Sequence, residues 1–256
     1  MVRQLTLILL LMANHASVQG QSADIQTVGG AVAVPPTLVI MGSSTAAGSG
    51  ASTPDSSWAG RYTRYLKQFY PEVRVINLAA GGYGTHHLLP DGWTIPDGRP
   101  LPDPERNISR ALTHHPDVII LNLPSNDASQ SYPAEEQLAN FETIVGQAQA
   151  AGALVWVTTT QPRNFEPYQI EIQRQVRTGL MARYGDHCID FWEVLSTSEG
   201  LVDQRYDSGD GIHLNDAGHR LLAQKVVDSN VLVQWLGISS IRKWWGGVLG
   251  RLVQVI

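Results

Sequence analysis

The chain has 256 residues, a formal net charge of −5, 43% hydrophobic residues and a single cysteine, Cys188. The acidic balance excludes a nucleic-acid partner, which calls for a surplus of Lys and Arg against phosphate. One cysteine excludes an internal disulfide and any cysteine-based metal cluster, and the length suits one domain with a short segment at each end.

Residues 1–20 are expected to form a signal peptide. Arg3 precedes a short apolar run over 5–13, too short to span a bilayer. Ala16 and Val18-Gln19-Gly20 offer cleavage sites, so an exported chain, periplasmic or secreted, begins near Gln21. No cysteine lies near the cut to carry a lipid anchor. Residues 21–36 are small and polar, end in Pro35-Pro36 and read as a linker. The main domain is expected over 37–236.

That domain opens on Leu38-Val39-Ile40-Met41, an unbroken apolar run of the kind a strand buried on both faces needs. Gly42 ends the run, and Ser43, Ser44 and small residues lead on to Gly50. A serine where a buried strand breaks into a small-residue loop stands at the carboxyl edge of a sheet, where open α/β folds place their ligands. Thr53-Pro54-Asp55 starts a helix carrying Trp58, Tyr62, Tyr65, Leu66 and Phe69, stopped by Pro71. A second strand over 73–78 runs into the small-residue turn Ala79-Ala80-Gly81-Gly82-Tyr83-Gly84.

Residues 86–106 are rich in Pro, Gly and Asp and hold His86, His87 and Trp93. A loop of that length without periodicity reads as a substrate-side insertion. The adjacent histidines point apart and lack a supporting carboxylate spacing, so no metal site is expected. His114-His115 end a helix before Pro116, where they suit the helix dipole. A third strand over 118–123 ends in Pro124-Ser125-Asn126-Asp127. A helix over 134–150, a strand over 153–159, a helix over 166–184 and a strand over 188–190 follow. Cys188 reads as a buried structural thiol. Asp210-Gly211-Ile212-His213-Leu214-Asn215 then precedes a helix from Asp216 to about Trp235. Strands alternating with helices imply an α/β fold with a parallel sheet covered on both faces. The tail, 237–256, sets Trp244 and Trp245 beside Arg242, Lys243 and Arg251. Such an amphipathic segment packs on its own domain or makes weak contact with a membrane surface, although Gly246 and Gly247 weaken any helix there.

A serine hydroxyl becomes a nucleophile only when a base takes its proton, and histidine is the usual base near neutral pH, with an acid to orient it. Asp210 and His213 are three residues apart in a loop before a helix, which makes a hydrogen bond between them easy. The oxyanion of acyl transfer also needs donors. The Ser44 N–H, helped by the amino end of a following helix, the backbone at Gly81-Gly82 and the Asn126 side chain can each supply one. All these segments sit where strands end, on one edge of the sheet. Ser43 is the rival nucleophile. Arg163, just after the fourth strand, is placed either to contact an anionic or sugar substrate or to form a surface ion pair, and Trp93 to stack on a sugar. His219 and Asp190 read as packing and hydrogen-bonding groups.

The order Ser, Gly, Asn, His, each at a strand end and the last in Asp-x-x-His, resembles the SGNH hydrolases, also called the GDSL esterase/lipase family. The likeness covers about residues 38–235. Ser44 falls on the nucleophile, Gly82 on the second-block glycine, Asn126 on the third-block asparagine, and Asp210 and His213 on the last block. Ser43 replaces the family's Asp, Thr45 its Leu, Ala79 an early second-block glycine and Pro124 the glycine two before the asparagine. This is an atypical branch, with GSS in place of GDS. The resemblance implies a three-layer α/β/α sandwich with a five-stranded parallel sheet, flavodoxin-like in architecture. It further implies a catalytic set of Ser44, Asp210 and His213, an oxyanion hole from Ser44, Gly82 and Asn126, and no metal or organic cofactor. Exported members of the family commonly remove small acyl groups from sugars. The expected protein is therefore a serine esterase acting on a small acyl ester or an acylated polysaccharide. A lysophospholipase, thioesterase or acyltransferase of the same fold is the alternative, and a non-catalytic glycan-binding module is the rival from another class. A phosphate loop is excluded because Ala51-Ser52 stands where Lys-Ser or Lys-Thr is needed.

Overall fold

A computed structural model describes residues 35–123, 125–229 and 231. The expected signal peptide, most of the linker, Pro124 and the tail lie outside these residues. Five strands form one sheet: β1 (Thr37–Gly42), β2 (Arg74–Asn77), β3 (Val118–Asn122), β4 (Leu154–Thr158) and β5 (Cys188–Ile189). The described α-helices are α1 (Ser44–Ala47), α2 (Trp58–Phe69), α3 (Ile108–Leu112), α4 (Asn126–Ser129), α5 (Ala134–Ala150), α6 (Pro167–Tyr184) and α7 (Asp216–Asp228).

All strand pairs are parallel and the order is β2-β1-β3-β4-β5. The chain winds outward from β1 to β2, then crosses to the other side of β1 for β3. That reversal leaves a crevice at the carboxyl ends of β1 and β3, the switch point at which this strand order binds ligands. The register sets Gly42 opposite Asn122, so both strands stop at one level. Gly42 has φ +154°, and a Cβ there would lie 2.0 Å from the Asn122 carbonyl oxygen. Only glycine lets β1 turn away so close to its neighbour.

Because strand side chains alternate, each strand feeds two cores. Leu38, Ile40, Ile120 and Trp156 pack on one face with Trp58, Tyr62 and Leu66 of α2 and Leu222 and Val226 of α7. Val39, Met41, Ile119, Leu121 and Val155 pack on the other with Ile108 of α3, Phe141 and Ile144 of α5, and Val176 and Leu180 of α6. The result is the three-layer α/β/α sandwich. Each such side chain, fully buried, contributes about 1.5–3 kcal/mol, and together they hold the carboxyl-edge loops on a rigid floor.

Some expectations shift. The helix expected from Thr53 divides into a 3₁₀ turn at Pro54–Ser56, capped by the Thr53 hydroxyl, and α2, capped by Ser57 through Gly60 N–H at 3.0 Å. Ser57 is extended (ψ 158°) and breaks the run. α3 closes at Leu112, with Thr113 as its cap, so His114 and His115 lie beyond it; His115 takes φ 51°, which no helix continues. The 86–106 loop begins inside a 3₁₀ turn, Thr85–Leu88. α7 runs from Asp216 to Asp228 with Ser229 as its cap, and most of the expected stretch from there to Trp235 lies outside the described residues.

Candidate active site

β1 delivers Ser43 and Ser44 into α1. Ser43 is the extended N-cap (φ −117°, ψ −154°) and is fully buried; Ser44 is the first helical residue and is 8% exposed. α1 has four residues and closes at Gly48, while α2 does not begin until Trp58. The help expected from a following helix therefore comes down to the unpaired N–H groups of one turn, that of Ser44 among them.

Asp210 and His213 meet as expected. Asp210 Oδ2 lies 2.6 Å from His213 Nδ1, and Oδ1 accepts the backbone N–H groups of His213 at 2.8 Å and Ile212 at 2.9 Å. Burial opposes ionisation of Asp210, but the N–H and ring of His213 and the N–H of Ile212 outweigh it and hold the carboxyl well below the usual range. An ionised Asp210 keeps the imidazole proton on Nδ1 and leaves Nε2 as the acceptor.

Two loops are clamped together at this point. Gly50 takes φ +87°, and a Cβ there would lie 2.3 Å from the Leu214 carbonyl oxygen and 3.0 Å from His213 Cβ. The serine loop and the Asp-x-x-His loop thus pack backbone to backbone. His219, fully buried, donates from Nε2 to the Ser49 carbonyl at 3.0 Å and accepts the Trp58 N–H at Nδ1 at 3.2 Å. Burial lowers its pKa and keeps the ring neutral. Ser52 donates its N–H and hydroxyl to Asp216 at 2.8 and 2.6 Å. No hydrogen bond joins the Ser44 hydroxyl to His213 among the described residues.

Asn126 stands at the head of α4. Its side-chain amide donates to Ser43 Oγ at 2.7 Å and to the Tyr83 carbonyl at 2.8 Å. The rival nucleophile is thus a sealed hydroxyl already serving as an acceptor. Gly82, with φ +82°, and Asn126 line one cavity of about 200 Å³ with Gly84, His87, Tyr132 and Arg163. Beneath it, Asp127 is 1% exposed and accepts the Thr85 N–H at 3.0 Å and the Thr85 hydroxyl at 2.8 Å. Burial pushes Asp127 up to about 6, against the pull of those hydrogen bonds. Asn140 donates to the same hydroxyl at 2.8 Å. Gly84 passes so close that a Cβ would lie 2.8 Å from the Asp127 carboxylate. This tie between the Gly82 turn and Asn126 escapes sequence reading, whose only signal is the Asn126-Asp127 pair at a strand end.

His86 and His87 take separate partners. His86 Nε2 lies 2.9 Å from Glu136, and His87 Nδ1 accepts the Gly84 N–H at 3.1 Å. Among the described residues no group of three or more His, Cys, Asp and Glu side chains is placed to hold a metal ion. Trp93 is 44% exposed and does not line the cavity that Arg163 lines. Burial pushes the Cys188 thiol up to about 12, and Asp190 pairs with Arg177 at 2.6 Å.

Residues 40–221 match the GDSL-like Lipase/Acylhydrolase family. The chain belongs to this family. Solved structures of similar fold include an acetyl xylan esterase, AlAXEase, at 17% identity, with a TM-score of 0.56 and coverage of 76% of this chain and 100% of that one. The psychrotrophic esterase EstA from Pseudoalteromonas sp., in a structure inhibited by monoethylphosphonate, gives 18% identity, a TM-score of 0.54 and coverage of 78% and 98%. A two-domain esterase active on acetylated mannans, co-crystallised with mannopentaose, gives 16%, 0.53, and coverage of 78% and 50%. No curated protein is significantly similar in sequence. Two departures of this GDSL-like acylhydrolase from its family pattern acquire partners: Ser43 receives Asn126, and Thr45 Oγ1 accepts from Gln161 Nε2 at 2.7 Å.

Proposed function

We propose that this GDSL-like acylhydrolase is a serine esterase that works through an acyl-enzyme, with Ser44 as nucleophile. The observation that carries the reading is the Asp210–His213 hydrogen bond at 2.6 Å, on a loop packed against the serine loop at Gly50. Ser44 Oγ attacks the ester carbonyl carbon and its proton passes to His213 Nε2. Asp210 supports the imidazolium that results. The carbonyl oxygen, now an anion, takes hydrogen bonds from the N–H groups of Ser44 and Gly82 and from the Asn126 amide. One amide hydrogen of Asn126 rests on the neutral Ser43 hydroxyl, and an oxyanion is the stronger acceptor, so that hydrogen turns to it as charge develops. Each such donor is worth about 10²–10³ in rate. His213 then protonates the leaving alcohol, and water, deprotonated by the same ring, releases the acid.

The substrate in this proposal is an O-acetylated or acylated carbohydrate. Support comes from structural neighbours described as active on acetylated xylan and mannan, and from a cavity small enough to take a single sugar ring or short acyl group. Action outside the cytoplasm is proposed on the strength of Arg3 and the apolar run after it. The test is hydrolysis of 4-nitrophenyl acetate and acetate release from acetylated xylan. Both should fall at least about 10³-fold in Ser44→Ala. Turnover undiminished in that variant, or no turnover of any short ester by a protein that binds glycans, would overturn the proposal.

A further inference from the structure

Arg163 lines the cavity without an ion-pair partner among the described residues. The residue is half-buried and lines the cavity together with Gly82, Asn126 and His87, and burial lowers its pKa. Among the described residues it makes no ion pair and no hydrogen bond. Its neighbour is the Phe165 ring, 4.6 Å beneath the guanidinium carbon. Asp210 attracts it through space without an ion-pair contact, and the oxygens of that carboxylate are taken by His213 and Ile212. The other acids nearby are also committed. Asp127 faces Thr85, and Glu136 is gripped by Arg99 and His86. An unpaired, half-buried cation is costly to keep, and such groups cluster at functional sites.

A second donor stands in the same cavity. His87 accepts the Gly84 N–H at Nδ1 and stacks on Tyr83 at 4.4 Å, so its orientation is fixed. Burial lowers its pKa and keeps the ring neutral, and the bond at Nδ1 then places the proton on Nε2, which has no hydrogen-bond partner among the described residues. The cavity is therefore lined by a bidentate cation and a neutral imidazole, and the nearby carboxylates of Asp103, Asp127 and Glu136 are engaged by Tyr83, Thr85 and Arg99. Its position is equally telling. Asn126 joins it to the serine loop through Ser43, and next to Arg163 the Asn164 N–H donates to the Gly211 carbonyl of the Asp210 loop at 2.8 Å.

We propose that this cavity is a carboxylate subsite, and that the preferred ester carries a carboxylate close to the bond that is cleaved. The inference rests on the esterase reading above and narrows its substrate class. A guanidinium over an aromatic ring can meet a carboxylate in two parallel hydrogen bonds, which a neutral sugar hydroxyl cannot match. The carboxylate belongs to the alcohol part, as in an acetylated uronic acid, or to the acyl part, as in a dicarboxylic half-ester.

Matched ester pairs separate the two sources. Acetylated methyl glucuronoside is compared with acetylated methyl glucoside, and 4-nitrophenyl hydrogen succinate with 4-nitrophenyl acetate. In one pair, kcat/KM should favour the carboxylate-bearing ester by about 10- to 100-fold, the worth of a charge-assisted contact. That ratio should collapse toward one in Arg163→Gln and recover in part in Arg163→Lys, which keeps the charge and loses the fork. No preference in either pair, or a preference that survives Arg163→Gln, overturns the subsite while leaving the esterase standing. Should the wild type cleave no ester at all, the esterase reading fails, and calorimetric titration with glucuronate and with succinate decides the subsite alone. Binding of either anion that is lost in Arg163→Gln supports it, and equal or absent binding in the two proteins refutes it.

Discussion

Gly50→Ala is the substitution that most directly tests how the serine loop and the Asp-x-x-His loop are held. The residue sits at φ +87°, where an L side chain costs roughly 1–2 kcal/mol. The new methyl would also lie 2.3 Å from the Leu214 carbonyl oxygen, and backbone cannot step aside as a flexible side chain can. The two effects together should cost about 3–5 kcal/mol, at the upper end for a point mutation. For a domain of this size that lowers Tm by roughly 6–20 °C. Whatever relaxation occurs pushes the 213–214 backbone away from the serine loop, and a shift near 1 Å costs about 100-fold in rate. Gly81→Ala is the control, because a Cβ there meets nothing within 4 Å. It should stay within about 0.5 kcal/mol of the wild type. Thermal melts and kcat/KM on 4-nitrophenyl acetate read both effects. If Gly50→Ala melts like Gly81→Ala, the loops do not pack as described. If it melts lower yet turns over normally, the packing does not position the histidine.

Asp210→Asn should lower kcat by about 10³–10⁴, because an amide cannot both accept from Nδ1 and support an imidazolium. The Asp210 carboxyl is depressed in the folded chain, so its stabilisation is full above the ordinary carboxylate range and is lost as pH falls below it. The Tm gap between wild type and this variant should therefore narrow between pH 7 and pH 3, and a gap that widens on acidification would contradict the hydrogen-bonding pattern. Ser43→Ala removes a buried acceptor from Asn126 and should cost about 1–3 kcal/mol in stability, read from denaturant melts. Its kcat/KM should fall far less than that of Ser44→Ala; equal losses would reverse the assignment of the two serines.

The sheet was legible because its strands are continuous apolar runs. Leu38 to Met41 and Val118 to Leu121 have no other place to go than between two helical layers. The helices at 134–150 and 166–184 have Pro133 and Pro167 marking their starts. The Asp210–His213 contact was legible because three residues of loop suffice to close it. What stayed hidden depends on long-range meetings. Asn126 finds Ser43 across 83 residues, and Asp127 finds Thr85 across 42. Neither pair has a local pattern, since any turn can hold an Asn or a Ser. The break at Ser57 was hidden for another reason. Pro54 suits the first turn of a 3₁₀ turn as well as that of an α-helix, and only the close pass of Gly60, where a Cβ would lie 2.3 Å from the Pro54 carbonyl, separates the two.

β1 enters the sheet at Thr37 and leaves it at Gly42, with Ser44 just beyond. The five steps between its six residues, at about 3.3 Å each, set the two ends roughly 17 Å apart, on opposite rims of the sheet. A bead or surface coupled at Pro35 would therefore hold the domain by the rim farthest from its chemistry. Immobilised that way, the cleft faces outward, and even a bulky polymer can reach it.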